Sequence, residues 1–296
     1  MKQYERTFKY LSVNKQDKQW GGYITVAGYA LIPPNSAYPP REHPADHYFT
    51  WDKGRILPEY QINYITEGSG IIETRSGTYK IAPGSMLIIF PGVWHRYRPY
   101  KSIGWKEHYI GFQGDYLNRI MHNDFFNHNQ PVIRLYFQEY ILESFNRIIT
   151  EVGMERAAYQ KACLGHLLQI LGNSVAIVKN KAFEGKDIEK KIKKAQVHFR
   201  DNLNKNVNVE KLASELNIGY SYFRKMFKAF TGISPIQYHL MLKINRAKEL
   251  LIHTNKGNKE IAYELGFQSV YYFTRIYKKK TGITPTETRK GLKNIA

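Results

Sequence analysis

Short apolar runs separated by turn residues dominate the chain between about Tyr60 and Phe112. The runs read YQINYIT, IIETR, TYKIA, SMLIIF and WKEHYIGF, with Gly, Ser or Pro pairs between most of them. Successive side chains of a strand face opposite sides, so such runs are typical of strands with a buried face. We predict a small antiparallel barrel or sandwich, preceded by an extended, proline-rich wrapping segment, LIPPNSAYPPREHPADHYF.

The apolar period changes from about Arg134 to Val178, where apolar residues recur at intervals of three and four. That spacing is helical, so RLYFQEYILESFNRIITEV and AAYQKACLGHLLQILGNSVAIV predict two amphipathic helices. The second contains a stripe that indicates either core packing or a dimer contact, formed by Leu164, Leu167, Leu168 and Leu171. The polar, aperiodic segment KNKAFEGKD predicts a linker, 179–187, between domains 1–178 and 188–296.

The remaining residues have helical periodicity and contain an internal repeat. LASELNIGYSYFRKMFKAFTGISP aligns with IAYELGFQSVYYFTRIYKKKTGITP, and segments 223–235 and 273–285 are identical at 6 of 13 positions. Each copy predicts a short helix, a turn and a second helix. The closing Gly suits a left-handed C-terminal position, and the Ser-Pro or Thr-Pro pair suits the start of the next helix. This is the helix-turn-helix unit of DNA-binding proteins, predicted at about 207–233 and 257–283.

The second helix of each copy has one apolar and one polar face. Phe273, Ile276 and Tyr277 are predicted to pack inwards. The residues predicted to contact DNA are Ser269, Val270, Tyr271, Thr274, Arg275, Lys278 and Lys279, matched in the first copy by Ser221, Arg224, Lys225 and Lys228. Arg can bind guanine through two hydrogen bonds, Thr or Val can contact thymine, and Lys binds phosphate. Tyr271 suits either a groove contact or a partly buried packing position.

Charge agrees with a nucleic-acid partner. Of the net charge of +19, residues 187–296 carry +13, from 22 Lys and Arg against 9 Asp and Glu. Such a basic domain is typical of polyanion binding, although RNA or a membrane surface would also fit. PIQYHLMLKINRAKELLIHT predicts a connecting helix of about 30 Å. Successive major grooves lie ~34 Å apart, so the two units could read adjacent grooves of one duplex.

These motifs resemble the AraC/XylS family of bacterial transcription regulators. IAYELGFQSVYYFTRIYKKKTGITPTETRK is similar to the family's second helix-turn-helix, LASELNIGYSYFRKMFKAFTGISPIQY to its first, and KINRAKELL to its connector. The run from EYQINYIT to HYIGF resembles the family's sensor domain. The resemblance implies an α+β multidomain fold: a cupin-like antiparallel β-barrel plus two amphipathic helices, then an all-α domain with two helix-turn-helix units.

The resemblance also implies partners and an effector site. We expect a cytoplasmic homodimer that binds double-stranded promoter DNA and a small-molecule effector, with RNA polymerase as a further partner and no cofactor. In arabinose-type members the barrel binds a sugar, and the matching positions here are Tyr97, Glu107 and Tyr109, with Arg55 or Lys53. Because sugars stack on aromatic rings and hydrogen-bond to polar groups, we add Trp51, Tyr64, His95 and Trp105.

The expected function is a sugar-responsive activator of carbohydrate uptake or catabolism genes. Glu107 and Tyr109 differ in residue type from the arabinose-binding member, which argues against arabinose itself. An effector-independent DNA-binding protein is an alternative, as is a metal-dependent cupin enzyme fused to a DNA-binding domain.

The enzyme alternative requires a His-x-His sequence with further Glu and His ligands around one metal. The predicted strands contain His95 at the position of the later His ligand, but no His-x-His sequence before it. His43 and His47 are separated by Pro44, which disfavours a regular helix, and His108 and its neighbour Glu107 face opposite sides of a strand. We therefore expect neither a metal site nor an enzyme. One cysteine, Cys163, and the lack of an apolar run of bilayer length predict a soluble, intracellular protein.

Overall fold

The computed structural model describes residues 5–39 and 50–293. The chain forms two compact units, which divide between Val178 and Lys179. The proline-rich segment predicted to wrap the barrel begins at the end of a strand, continues irregularly to Pro39, and otherwise lies outside the described residues as far as Phe49.

The N-terminal unit is built mainly from strands. They are β1 (Glu5–Tyr10), β2 (Tyr23–Ile32), β3 (Tyr60–Gly68), β4 (Gly70–Thr74), β5 (Gly77–Ile81), β6 (Ser85–Ile89), β7 (His95–Pro99), β8 (Trp105–Gln113) and β9 (Val132–Arg134). The helices are α1 (Lys15–Gln19), α2 (Asp115–Met121), α3 (Glu139–Met154) and α4 (Tyr159–Lys181), the last extending three residues past Val178.

The strands form two antiparallel sheets that share one interior. Their orders are β1-β2-β8-β3-β6-β9 and β5-β4-β7. Ile65 and Leu87 of the first sheet pack in one cluster with Ile72 and Tyr97 of the second. This confirms the cupin-like barrel. Four strands were missed. Strands β1 and β2 precede the stretch with regularly spaced turn residues, and β7 (HRYRP) contains no apolar run. Strand β9 lies between that stretch and the predicted helices, where it pairs with β6.

Strand β3 separates the barrel interior from the helical layer. Tyr60, Ile62 and Tyr64 belong to a core that includes the apolar faces of α3 and α4. The alternate residues Gln61 and Asn63 are also buried, and they hydrogen-bond to each other on the barrel side. The period of two along a strand produces this division.

Helix α4 closes the outer face of the large sheet. Leu164, Leu167 and Leu171 are buried in the same core as β3, and Leu168 packs against it. The leucine stripe is therefore core packing. With 23 residues and a mean hydropathy of 1.3, α4 also reaches the length and composition of a membrane span, so the prediction that no run does so is wrong by those two criteria.

The C-terminal unit is helical throughout its regular structure. Its helices are α5 (Asp187–Asp201), α6 (Val209–Glu215), α7 (Tyr220–Thr231), α8 (Pro235–His253), α9 (Asn258–Glu264), α10 (Val270–Thr281) and α11 (Pro285–Lys293). The pairs α6–α7 and α9–α10 are the two helix-turn-helix units, joined by α8. The segment predicted as a linker is helical at both ends, because α4 continues to Lys181 and α5 begins at Asp187.

Local signals place the ends of these helices. Gly232 and Gly282 follow α7 and α10, the second helices of the two helix-turn-helix units, which we call the recognition helices. Their φ angles are 83° and 85°, a left-handed conformation that Gly adopts without strain. Ser234 caps α8 with a capping box and Pro235 at its first position. Gly266, in the second turn, has φ of 65°, and an added Cβ there would lie 2.3 Å from the Asn204 carbonyl oxygen.

Each helix-turn-helix has its own core. Phe223 and Phe227 of α7 are fully buried in one cluster, and Phe273 and Tyr277 of α10 are fully buried in another. The inward faces predicted from helical spacing are therefore confirmed, and the opposite faces of both helices are left towards solvent.

Candidate functional sites: the recognition helices and the barrel interior

Helix α10 presents most of its predicted DNA-contacting residues to solvent. Tyr271 is 77% exposed, and Arg275, Lys278 and Lys279 are exposed as well. Thr274 is half-buried. Two further predicted residues have structural roles in the helix. The Ser269 hydroxyl accepts a hydrogen bond from the Tyr272 backbone N–H (3.1 Å) and caps the helix. Val270 was predicted to face outwards, but it is half-buried and packs against the core. It is the first residue of α10 and therefore lies next to the loop between α9 and α10.

Two tyrosines flank the Arg275 guanidinium. It lies 6.0 Å from the Tyr271 ring centroid and 5.7 Å from that of Tyr272, within the range of cation–π contacts. Within the described residues no carboxylate forms an ion pair with Arg275. Its N–H groups therefore remain available to an acceptor outside the chain.

Helix α7 repeats this arrangement. Its predicted DNA-contacting residues are all exposed, namely Ser221, Arg224, Lys225 and Lys228. The Arg224 guanidinium lies 5.4 Å from the Tyr220 ring centroid. Neither α7 nor α10 contains an Asp or Glu, so every charged side chain on their exposed faces is cationic. Such faces attract a phosphate backbone.

Lys278→Ala or Lys279→Ala is expected to weaken DNA binding for all sequences alike. A lysine bound to a phosphate releases about one counterion, so removing one such lysine should make the slope of log K against log salt less steep by about 0.9. Fluorescence anisotropy between low and moderate salt measures this slope. An unchanged slope in both variants would show that these lysines do not contact DNA.

The barrel interior contains a connected set of buried polar side chains. The Tyr97 hydroxyl accepts a hydrogen bond from Nη2 of Arg55 (2.8 Å) and lies 3.4 Å from Nδ2 of Asn63. The same amide nitrogen is 3.4 Å from Oε2 of Glu107. Nε2 of Gln61 donates to Oδ1 of Asn63 (2.8 Å). One network therefore joins residues of β3, β7 and β8 with the loop before β3.

His95 is neutral in this network. Its Nδ1–H donates to the Val93 carbonyl oxygen (3.0 Å), and its Nε2 accepts from Nε of Arg55 (3.2 Å). Burial, followed by the charge of Arg55, lowers the pKa of His95 to about 3. Burial also raises the pKa of Tyr97, so its hydroxyl stays protonated. The interior therefore offers neutral donors and acceptors beside the Arg55 guanidinium and the Glu107 carboxyl group.

Aromatic rings complete this interior. Trp105 lies 6.1 Å from the Tyr97 ring and 5.9 Å from the Tyr38 ring, between centroids. Burial holds the pKa of Tyr38 well above its usual value, with the nearby Glu107 acting in the same direction. The Trp105 Nε1–H is buried and has no hydrogen-bond partner among the described residues. A ligand with hydroxyl groups and an apolar face would match this combination.

The structure brings together most of the predicted effector residues. Arg55, His95, Tyr97, Trp105 and Glu107 surround the interior, and Tyr109 lies on the same face of β8, with its ring over Gly28.

Two of the predicted residues lie elsewhere. Tyr64 faces the helical layer, where its hydroxyl donates to the Tyr136 carbonyl oxygen (2.9 Å). Trp51 lies outside, stacked 3.7 Å from the Arg98 guanidinium and 4.4 Å from that of Arg96.

Three interior residues were missed: Tyr38, Gln61 and Asn63. Gln61 and Asn63 occupy alternate positions in YQINYIT, and two polar residues at this spacing could have indicated a polar inner face. Tyr38 belongs to the proline-rich segment, which carries no periodic signal. Of the possible metal ligands, His43 and His47 lie outside the described residues, and in the part of the chain that is described no three His, Cys, Asp or Glu side chains are grouped to hold a metal ion.

Acidification is expected to destabilise the N-terminal unit. The unfolded chain binds a proton at His95 below about pH 6.5, whereas the folded chain does not until about pH 3, so the stabilisation is present above pH 6.5 and is lost as the pH falls. His108, whose pKa burial lowers to about 4, contributes in the same direction. Urea unfolding followed by tryptophan fluorescence should show a loss of about 1 kcal/mol per histidine between pH 7.5 and 5.5.

His95→Gln should remove about half of that loss, while the same change at the exposed His128 should leave it intact. Equal pH dependence in all three proteins would contradict a neutral, buried His95. All four tryptophans belong to the N-terminal unit, so this signal reports that unit alone.

Known protein families match parts of both units of the chain. Residues 26–171 match a family model described as an AraC-like ligand binding domain, and residues 212–291 match a helix-turn-helix domain. The MmsAB operon regulatory protein of Pseudomonas aeruginosa is 25% identical over 78% of this chain and 75% of its own. The arabinose operon regulatory protein of Escherichia coli is 24% identical over 82% and 84%, respectively. The lactose operon transcription activator of Staphylococcus xylosus is 24% identical over 79% and 85%. The chain is thus a DNA-binding transcription regulator that belongs to the AraC/XylS family.

Proposed function

We propose that this regulator binds a sugar in its barrel and, in response, activates genes for carbohydrate uptake or breakdown. The observation that carries the proposal is the buried network around the Tyr97 hydroxyl, which joins Arg55, Asn63 and Glu107 beside the Trp105 ring. Sugar hydroxyls need both donors and acceptors, and their C–H faces stack on aromatic rings. Two relatives named for arabinose and lactose operons support the same ligand class.

The proposed regulator acts as a homodimer in the cytoplasm, where it binds promoter DNA, and has no enzymatic activity. The face of α4 opposite the leucine stripe is exposed and contains small residues, Ala162, Gly165, Gly172 and Ala176. Small residues let two helices approach closely, so this face suits pairing with a second copy. Sugar binding would then favour one arrangement of the dimer on promoter DNA, from which it contacts RNA polymerase. Such coupling requires the sugar to bind the two arrangements with different affinities.

Glu107→Gln is expected to weaken sugar binding by about tenfold or more, because a carboxylate accepts stronger hydrogen bonds from hydroxyl groups than an amide does. Thermal shifts across a panel of mono- and disaccharides identify the ligand, and calorimetry then compares the variants. Glu67→Gln is the matched control, since Glu67 lies on β3 but pairs with Lys106 at the surface.

Equal affinity in both variants would place the sugar outside the barrel. If no sugar stabilises the protein and none alters its DNA binding, the effector-independent alternative replaces this proposal. Metal-dependent turnover of any panel member would instead favour the enzyme.

A further inference from the structure

A second cleft lies inside the C-terminal unit, separate from both sites described above. It has a volume of about 260 Å³ and opens between α8, the loop before α6 and the turn of the second helix-turn-helix. Helix α8 contributes one face to it, with Ile236, His239, Leu240 and Lys243 spaced at helical intervals. Phe267 of the turn forms the opposite wall.

The cleft holds a buried cation without a counter-charge. Lys243 is 4% exposed, and its Nζ has one hydrogen-bond acceptor among the described residues, Oδ1 of Asn206 at 3.4 Å. The Phe267 ring centroid is 5.4 Å from Nζ. An ammonium group has three N–H donors, so two remain without an acceptor. Burial lowers the pKa of Lys243, as expected for a cation with no carboxylate beside it.

The neighbouring histidine, His239, adds no charge to the cleft. Nε2–H of His239 donates to the Asn202 carbonyl oxygen (3.1 Å). Burial, followed by the charge of Lys243, lowers the pKa of His239 to about 4, so the ring is neutral near pH 7. The cleft therefore has one positive charge at its inner end and the apolar side chains Leu240, Ile236 and Phe267 along its walls.

We propose that this cleft binds a small organic acid, whose carboxylate contacts the Lys243 ammonium and whose apolar body packs against Leu240 and Phe267. A carboxylate supplies the acceptors that the ammonium lacks, and such charge-assisted hydrogen bonds are strongest where water is excluded. A DNA phosphate is the less suitable anion, because it has no apolar body to occupy the cleft. The ligand would connect α8 with the turn that precedes α10, so it would act on the DNA-reading unit directly.

Titration of benzoate into the full-length protein, followed by saturation-transfer NMR, tests this site. Lys243→Met keeps the length and apolar character of the side chain and removes an unpaired buried charge, so it should fold. It should bind benzoate about tenfold more weakly or worse, since the charge-assisted hydrogen bonds are absent. Benzamide, the neutral analogue, should bind the wild type about tenfold more weakly than benzoate does, or worse. Lys248→Met, at an exposed position of α8, is the control and should bind as the wild type does.

A second variant tests the cleft without altering the lysine. Ile236 is 59% exposed, so Ile236→Trp can narrow the mouth of the cleft without disturbing the core, and it should also weaken benzoate binding. Undiminished binding in either variant, or equal binding of benzamide and benzoate, would overturn the proposal. So would a uniform loss of DNA affinity in Lys243→Met with a slope of log K against log salt that is less steep by about 0.9, since Lys243 would then contact a phosphate.

Discussion

Arg275→Ala is expected to weaken binding to the preferred DNA site by about 1–3 kcal/mol and to abolish the preference at one base pair. The guanidinium is exposed between Tyr271 and Tyr272, and no carboxylate of the described residues pairs with it. A guanidinium held by two rings loses less freedom when it binds, which suits two parallel hydrogen bonds to guanine. Selection of bound DNA from a random pool, followed by titration of single-base variants of the site, measures both effects.

Arg275→Lys distinguishes a base contact from a phosphate contact. Lysine keeps the charge but lacks the planar fork, so the preference should still disappear if Arg275 reads a base. Arg246→Ala is the control, because this exposed arginine of α8 is already paired with Glu249 (2.8 Å). A uniform loss of affinity across unrelated sequences, restored by lysine, would show that Arg275 contacts only the backbone.

Phe273→Ala is expected to destabilise the C-terminal unit by about 3–5 kcal/mol. Phe273 is fully buried, and its ring lies 5.1 Å from that of Phe267 and 5.7 Å from that of Tyr277, between centroids. Truncation removes this packing and leaves a cavity that the surrounding helices cannot fill. Urea unfolding followed by far-ultraviolet circular dichroism measures the change in the free energy of unfolding.

Tyr271→Ala is the matched control for this experiment. It removes an aromatic ring two residues away on the same helix, but from a side chain that is 77% exposed. We expect a change within about 0.5 kcal/mol, as for surface substitutions in general. Similar destabilisation in both variants would contradict the division of α10 into an inner and an outer face. DNA binding by Tyr271→Ala also separates a groove contact from a role in supporting Arg275.

The fold was predictable wherever the signals are local. The repeat, the Gly232 and Gly282 termini and the Ser234-Pro235 start depend on neighbouring residues alone, and they delimit both helix-turn-helix units. Strands β3 to β6 and β8 were predictable because turn residues separate most of them, whereas β7, HRYRP, contains no apolar run. Strand β9 was not, because its three residues are a strand only through pairing with β6.

The barrel site shows where local signals end. His95, Tyr97, Trp105 and Glu107 were predictable as residue types that suit a sugar, but Tyr64 was assigned to the site although its strand position directs it to α3. Its ring stacks on Phe145, at 5.9 Å between centroids. Asn63, one residue earlier, lies in the interior instead. Which face of a strand becomes the interior depends on how the two sheets close, and no single run of residues contains that information.

For this protein, then, local patterns were enough to establish the order of helices α3 to α11 and most of the strands, the inward faces of the recognition helices and their cationic outer faces. These features follow from a period and a composition, which are properties of contiguous residues. Long-range packing was needed to establish which polar residues meet around Tyr97, that Trp51 lies outside with two arginines, and that Lys243 is buried without a counter-charge. Those arrangements involve residues distant in the chain, which meet only when the packing of strands and helices brings them together.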